Sequence, residues 1–221
     1  MIVRISTLMA VIFALFSVSS AQASNPPSTC NSSHKPMVMV HGWNDNTRAF
    51  NSMKSYLANN GFSTCKMYTF GYSSTRNSNK TSAYYLRNYM NNVSSQNGGK
   101  KVTLITHSNG GLVGRWYRVM LGGTAKNDRF VALGAPHRGT SSAYLCFDPA
   151  CYEMRPGSSF INALGGRGCQ YSIWSNVDAI INPSSSAACG YSYRTPGLIG
   201  HGGLLWRVGS LNILKNLIPK Y

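Results

Sequence analysis

Short apolar runs alternate along the chain with segments whose apolar residues recur at helical spacing. The apolar runs predict strands. In most of the segments between them, apolar residues recur every three to four positions, which predicts amphipathic helices. Strands that alternate with helices form βαβ units, so we predict the α/β class, with a largely parallel sheet and helices on both faces. The predicted strands cover 35–40, 65–70, 102–106, 129–133, 171–176 and 189–194, and the predicted helices 46–59, 83–93, 112–119 and 204–217.

Two local expectations refine this outline. Thr47 is the predicted N-cap of the first helix, and Gly61 stands where that helix should end. Residues 141–168 show no sustained period, and we predict that they form an irregular excursion from the sheet.

The segment 101–118 carries the strongest local motif. An apolar strand over 102–106 ends near Ser108, and a helical pattern begins after Gly111. A buried strand that turns sharply at a small nucleophile and continues as a helix is a nucleophile elbow, which holds the serine at positive φ with its Oγ clear of the sheet. Thr106 departs from the G-x-S-x-G motif, which has its first glycine there. Taken alone, the segment is equally consistent with an ordinary serine at a strand–helix turn.

Residues 1–23 have the composition of a secretory signal peptide. Arg4 gives the start a positive charge, an apolar run follows, and residues 21–23 read Ala-Gln-Ala, a signal peptidase site. A membrane anchor is the alternative, but the run is shorter than the roughly 20 residues that a bilayer span needs. We expect cleavage before Ser24. The remaining 221 − 23 = 198 residues, 24–221, would form one secreted or periplasmic domain.

All six cysteines follow the predicted cleavage point. An even number of cysteines in an exported chain predicts three disulfides. Metal binding is the alternative, but the sequence has no C-x-x-C motif and no Cys/His cluster. From proximity and expected strand neighbours, the predicted pairs are Cys30–Cys65, Cys146–Cys151 and Cys169–Cys189.

The chain is strongly basic, with 21 Lys and Arg against 5 Asp and Glu and a net charge of +16. Loss of Arg4 with the leader leaves 20 − 5 = +15. This charge favours anionic surfaces such as phospholipid, although solubility and non-specific adhesion explain it equally well. The basic residues are scattered rather than clustered, so we predict no nucleic-acid site.

The scarcity of acidic residues restricts the choice of a catalytic carboxylate. A serine nucleophile needs a base and an orienting carboxylate, and after an elbow of this kind the chain order is serine, acid, histidine. Asp178 follows a predicted strand and His201 lies in a glycine-flanked loop, so we predict the triad Ser108, Asp178 and His201. His137 fits less well, because only Asp128, at the wrong end of its strand, lies between it and Ser108. A buried structural histidine is the alternative for His201.

Two backbone N–H groups are the predicted donors of an oxyanion hole. One belongs to Asn109, the residue after the nucleophile, and the other to Trp43, in the loop after the first strand. We expect the Trp43 side chain to lie at the acyl pocket or its rim. His41 and His107 are predicted to be packing residues.

Six segments together resemble secreted bacterial lipases of the small α/β-hydrolase type, the class 2 lipases. The similarity covers nearly all of 24–221, and by position it implies the same triad and the same two oxyanion donors. It implies a minimal α/β hydrolase with no large cap domain, acting on carboxylic esters, often acylglycerols. Thr106 and the long segment 141–168, which leaves room for a small flap, depart from the family pattern. The segments are V-M-V-H-G-W, T-H-S-N-G-G, G-A-P-H-R-G-T, M-R-P-G-S-S-F, S-N-V-D-A-I-I-N-P and G-H-G-G-L-L.

The expected function is hydrolysis of acylglycerols or other esters through an acyl-enzyme, without a metal or another cofactor. We expect a monomer that works at a lipid–water interface, with anionic lipid surfaces as a further candidate partner. The alternatives are a phospholipase or acyltransferase on anionic lipid and, in another class, a non-catalytic cationic protein that binds surfaces.

Overall fold

The computed structural model describes residues 33–221. The predicted signal peptide and Cys30, and with it the predicted Cys30–Cys65 pair, lie outside the described residues. Within them, no helix is both long and apolar enough to cross a membrane.

The described chain is built on one six-stranded sheet in which every neighbouring pair of strands is parallel. The order across the sheet is β2-β1-β3-β4-β5-β6, so β3 occupies the interior. The predicted parallel α/β architecture is therefore confirmed. The strands are β1 (Met37–Val40), β2 (Met67–Phe70), β3 (Val102–His107), β4 (Asn127–Leu133), β5 (Tyr171–Trp174) and β6 (Tyr191–Arg194).

Among the described residues, six α-helices accompany the strands, and helices pack on both faces of the sheet. Along β1, Met37 and Met39 pack with α1 and α6 on one face, whereas Val38 and Val40 pack with α2 and α3 on the other. This alternation follows from the two-residue period of a strand. The helices are α1 (Asn51–Asn59), α2 (Asn79–Gln96), α3 (Gly110–Met120), α4 (Pro149–Met154), α5 (Ser159–Leu164) and α6 (Val208–Leu217).

Local capping explains where the helices differ from their predicted bounds. Asn46, rather than Thr47, caps the 3₁₀ turn that precedes α1, because its side chain accepts the Arg48 N–H. The α2 helix begins four residues before the prediction, since the Ser78 hydroxyl accepts the Thr81 N–H. Gly61 follows α1 with a φ of 81°, as expected for a residue that ends a helix.

The prediction of an irregular excursion over 141–168 is wrong in part. The segment contains a 3₁₀ turn, Ser141–Leu145, and the two short helices α4 and α5. Each helix has about two turns, which is too short for a helical period to stand out in the sequence. Their apolar residues form a third cluster against Leu112 of α3. The predicted final helix is likewise divided, into a 3₁₀ turn at Gly202–Leu205 and α6.

Glycines let α3 approach the sheet closely, and this explains why Thr106 fits at the elbow. A Cβ on Gly111 would lie 2.3 Å from the Ala135 Cβ, and one on Gly114 would lie 3.2 Å from the Thr106 Cγ2. Thr106 is fully buried between these elements. Thr106 thus adds volume at the first position of the G-x-S-x-G motif, and it fits because Gly111 and Gly114 of the facing helix have no side chains.

We predict that Gly111→Ala lowers the free energy of unfolding by about 1–3 kcal/mol, because the added methyl overpacks the α3–sheet contact. Gly166→Ala is the control, since nothing lies within 4 Å of a Cβ there. The double variant Gly111→Ala/Ala135→Gly should regain much of the loss. Denaturant unfolding that gives Gly111→Ala and Gly166→Ala equal stabilities would contradict this packing.

Candidate active site

Ser108 lies at the turn between β3 and α3 with a φ of 52°. Its N–H donates to the Leu133 carbonyl and its own carbonyl accepts the Gly111 N–H, each at 2.9 Å. The first bond fixes the turn to β4 and the second starts the helix at once. A non-glycine residue at positive φ is uncommon and is typical of functional sites. The predicted elbow geometry is confirmed.

The loop after β1 lies directly against this turn. A Cβ on Gly42 would come within 2.8 Å of the Ser108 Cβ, so only glycine allows this approach. Asn44 also has a φ of 52°, and its N–H donates to the Ser74 hydroxyl at 2.9 Å. In the described residues, no hydrogen bond uses the N–H of Trp43 or Asn109. Both groups are therefore unpaired within the part of the chain that the structure describes.

Asp178, which is buried, and His201, which is partly buried, form a pair at the same edge of the sheet. His201 Nδ1 lies 2.7 Å from Asp178 Oδ2, while the N–H groups of Ile180 and Ile181 donate to Asp178 Oδ1 at 2.9 and 3.0 Å. Burial alone would raise the pKa of Asp178, but His201 and these N–H groups outweigh it and hold the pKa below its ordinary value. The carboxylate therefore fixes the proton on Nδ1 and leaves Nε2 as the basic nitrogen of His201.

The loop that follows β4 makes room for this pair and joins it to the rest of the site. Gly134 has a φ of 57°, and a Cβ there would lie 3.3 Å from both Asp178 Oδ2 and His201 Cε1. Farther along, the Thr140 hydroxyl donates to the Ile180 carbonyl and accepts the Asn182 N–H, both at 2.9 Å. The segment G-A-P-H-R-G-T thus positions the Asp178 loop.

His107 and His41 are both buried next to the site, as predicted for packing residues, and His107 also lines the cleft described below. His107 Nε2 lies 3.2 Å from the His201 carbonyl, and the two rings are 4.7 Å apart. Burial, with a smaller effect from His201, lowers the pKa of His107 to about 3, so its ring is neutral at pH 7. His41 stacks on Tyr72, and its Nδ1 lies 2.8 Å from the Gly42 carbonyl.

A cleft of about 460 Å³ opens at the carboxyl edge of the sheet, where ligands bind in folds of this type. Ser108, His201 and Trp43 all line it, so the structure brings the predicted nucleophile and base to one cavity. Asp178 lies behind His201, and Asn109 is buried next to Ser108. The cleft is also lined by apolar side chains: Ala143, Leu145, Met154, Ile180, Ile181 and Leu205.

The other candidates lie elsewhere. Asp128 pairs with Lys35, and His137 is buried near Cys169 and Cys189. Among the described residues, these last three form the only group of metal-ligating side chains. Cys169 and Cys189 are bonded to each other as predicted, so no thiolate is left to bind a metal.

Two acidic residues of the 141–168 segment, which sequence reasoning left without a role, contact residues in or next to this site. Asp148 Oδ2 accepts the Trp43 indole N–H at 2.9 Å, and Glu153 accepts the Asn79 N–H at the start of α2. The sequence feature that could have pointed to these two residues is their rarity, since the chain has only five acidic residues.

A family model described as "Lipase (class 2)" matches residues 34–196. Because this match covers well over half of the chain, the protein belongs to the class 2 lipases. It is therefore a carboxylic-ester hydrolase, and the α/β-hydrolase fold implied by the six segments is confirmed.

Several solved structures, two of them of lipases, share the fold at low sequence identity. The mature Bacillus licheniformis lipase BlEst2 is 16% identical with a TM-score of 0.70, over 90% of this chain and 98% of that one. Aspergillus fumigatus lipase B is 19% identical with a TM-score of 0.68, over 80% of this chain and 52% of that one. A Listeria innocua protein, the product of lin2722, is 14% identical with a TM-score of 0.63, over 85% and 95% of the two chains.

The lowered pKa of Asp178 predicts a specific dependence of stability on pH. Because the folded-state pKa lies below the unfolded value, the carboxylate contributes stability that is present above about pH 4 and lost as the pH falls. We expect the stability difference between wild type and Asp178→Asn to fall between pH 5 and pH 2. A stability difference between the two proteins that stays constant over this pH range would contradict the assignment.

Proposed function

We propose that the chain is an exported triacylglycerol lipase or esterase that works through Ser108, His201 and Asp178. The observation that carries the proposal is the common position of a serine at positive φ and a carboxylate-bound histidine in one apolar cleft. Three such groups at the carboxyl edge of a parallel sheet have no evident structural role in common. The disulfides Cys146–Cys151 and Cys169–Cys189 support residence in an oxidising compartment.

The reaction that follows is acyl transfer in two stages. His201 Nε2 takes the Ser108 proton, Ser108 Oγ attacks the ester carbonyl, and the N–H groups of Trp43 and Asn109 bind the oxyanion. Collapse of the tetrahedral intermediate breaks the bond to the alcohol, which leaves with the proton from His201. Water then attacks the acyl-enzyme by the reverse sequence and releases the carboxylic acid. Asp178 holds His201 in the required tautomer and stabilises its charged form.

Exposed apolar side chains near the cleft support a water-insoluble substrate. Leu145, which lines the cleft, is 86% exposed, and Phe147 two residues later is 75% exposed. Ile180 also lines the cleft and is 51% exposed, and Leu198, three residues before His201 in the chain, is 84% exposed. Apolar side chains grouped at a cleft mark a contact surface for lipid or protein. We propose that this one meets the lipid–water interface.

Ser108→Ala should lower the rate of p-nitrophenyl ester hydrolysis on the order of a millionfold, because it removes the nucleophile of the acyl-enzyme. Asp178→Asn should lower kcat by about 10⁴, the loss expected when the base takes the wrong tautomer. Ser55→Ala, on the outer face of α1, is the control and should match wild type. Wild-type turnover by Ser108→Ala would contradict the proposed mechanism, because another group would then have to be the nucleophile. A wild type that hydrolyses no ester would instead favour a cationic protein that binds surfaces without this chemistry.

The net charge of +16 favours a second candidate, a phospholipase or acyltransferase that acts on anionic lipid. On this alternative, vesicles rich in phosphatidylglycerol should be cleaved faster than emulsified triacylglycerol at low salt. The preference should disappear near 1 M salt, where the Debye length falls to about 3 Å. Faster triacylglycerol cleavage at both salt concentrations would support the lipase and exclude charge as the source of selectivity.

A further inference from the structure

The segment 146–153, here called the stapled segment, is tied to both proposed oxyanion donors. At one end, Asp148 Oδ2 accepts the indole N–H of Trp43 at 2.9 Å. At the other, Glu153 accepts the backbone N–H of Asn79. The Asn79 side-chain oxygen in turn accepts the Asn109 side-chain N–H at 2.8 Å.

The stapled segment is itself held rigid. The Cys146–Cys151 disulfide closes a short loop around Asp148, and the Cys151 N–H donates to the Asp148 carbonyl at 2.9 Å. Arg155 donates to the carbonyls of Ala143 and Cys146, each at 3.2 Å. Asp148 stands at the N-cap of α4, yet its side chain makes no cap hydrogen bond. Its carboxylate is therefore available to the Trp43 indole.

The contact with Trp43 is a packing contact as well as a hydrogen bond. Trp43 packs against the apolar cluster formed by α4, α5 and Leu112, and Cys146 packs against the same cluster. Trp43 follows Gly42, whose backbone lies against Ser108. We therefore expect a shift of the indole to move the backbone N–H of Trp43, which directly follows Gly42.

The link to Asn109 runs through fully buried side chains. Asn79 and Asn109 are both inaccessible to solvent, so their mutual hydrogen bond is costly to break. Asn79 is the first residue of α2, and the carboxylate of Glu153 binds there, where the helix dipole favours negative charge. Glu153 thereby fixes the start of α2 and, through it, the Asn109 carboxamide.

We infer that Asp148 and Glu153 are positioning residues, and that the stapled segment sets the oxyanion hole through the side chains of Trp43 and Asn109. Neither carboxylate touches the reacting atoms. The inference rests on the proposed function, and it assigns the 141–168 segment a role in the acceleration of the reaction beyond its place in the cleft wall.

The first test measures kcat and KM on a soluble short-chain p-nitrophenyl ester. Asp148→Ala should lower kcat by about 10- to 100-fold, because small misplacements of catalytic groups cost up to about 10² in rate. KM should stay within about threefold of wild type, since oxyanion binding acts in the transition state. Asp148→Asn keeps an oxygen acceptor for the indole and should retain most of the activity.

A double-mutant cycle tests whether Asp148 acts through Trp43. Trp43→Phe removes the indole donor and should lower kcat about as much as Asp148→Ala. In the Trp43→Phe background, Asp148→Ala should then change kcat by less than about twofold, because the shared interaction is already gone. Asp128→Asn removes a carboxylate paired with Lys35 at the other end of the sheet and is the control, expected to match wild type.

Affinity for a short alkyl boronic acid separates positioning from a loss of folded protein. The boronate forms a tetrahedral adduct with a serine, so its Ki should rise by the same factor as kcat/KM falls in Asp148→Ala and Glu153→Ala. Thermal unfolding verifies that each variant is folded at the assay temperature.

Three outcomes would overturn the inference while wild type still hydrolyses the ester in a Ser108-dependent way. They are an Asp148→Ala variant with wild-type kcat, an equal loss in Asp148→Asn and Asp148→Ala, or independent effects in the cycle with Trp43→Phe. An inactive wild type that also fails to bind the boronate would instead remove the proposed function, and the inference with it.

Discussion

The site depends on one backbone constraint, the positive φ of Ser108 between β3 and α3. A serine can hold this conformation only if the surrounding structure enforces it. The bond from its N–H to the Leu133 carbonyl and the close approach of Gly42 provide that enforcement. The glycines of α3 also help to enforce this conformation, because they let the helix begin immediately after Ser108 and pack closely against the sheet. The elbow, the cleft and the two free N–H groups all follow from this turn.

A second feature of the molecule is its small number of acidic residues. Although the chain carries a large positive charge, each of its five carboxylates has a specific partner in the fold. Asp178 binds His201, Asp148 binds Trp43, and Glu153 binds the start of α2. Asp128 pairs with Lys35, and Asp45 accepts the N–H of Asn46. Asp178 and Asp148 thus bind side chains that line the cleft, His201 and Trp43, and Asp45 lines the cleft itself.

Much of the fold could be predicted from the sequence, because buried parallel strands and amphipathic helices have distinct periods. The meeting of Ser108 with the Asp178–His201 pair at one edge could be anticipated for a similar reason, since the carboxyl ends of parallel strands lie together. The Asp148–Trp43 contact could not, because it joins residues 105 positions apart through a segment with no period of its own. Likewise, the fit of Thr106 depends on Gly114 in the facing helix, which no local motif reveals.

The most direct test of the account is covalent labelling of the folded protein with a fluorophosphonate, followed by peptide mapping. We expect one adduct per molecule, on Ser108, with labelling lost in Ser108→Ala and strongly slowed in His201→Ala, because the serine needs its base. An absence of labelling in the folded wild type, or an adduct on another residue, would contradict the assignment of Ser108 as the nucleophile.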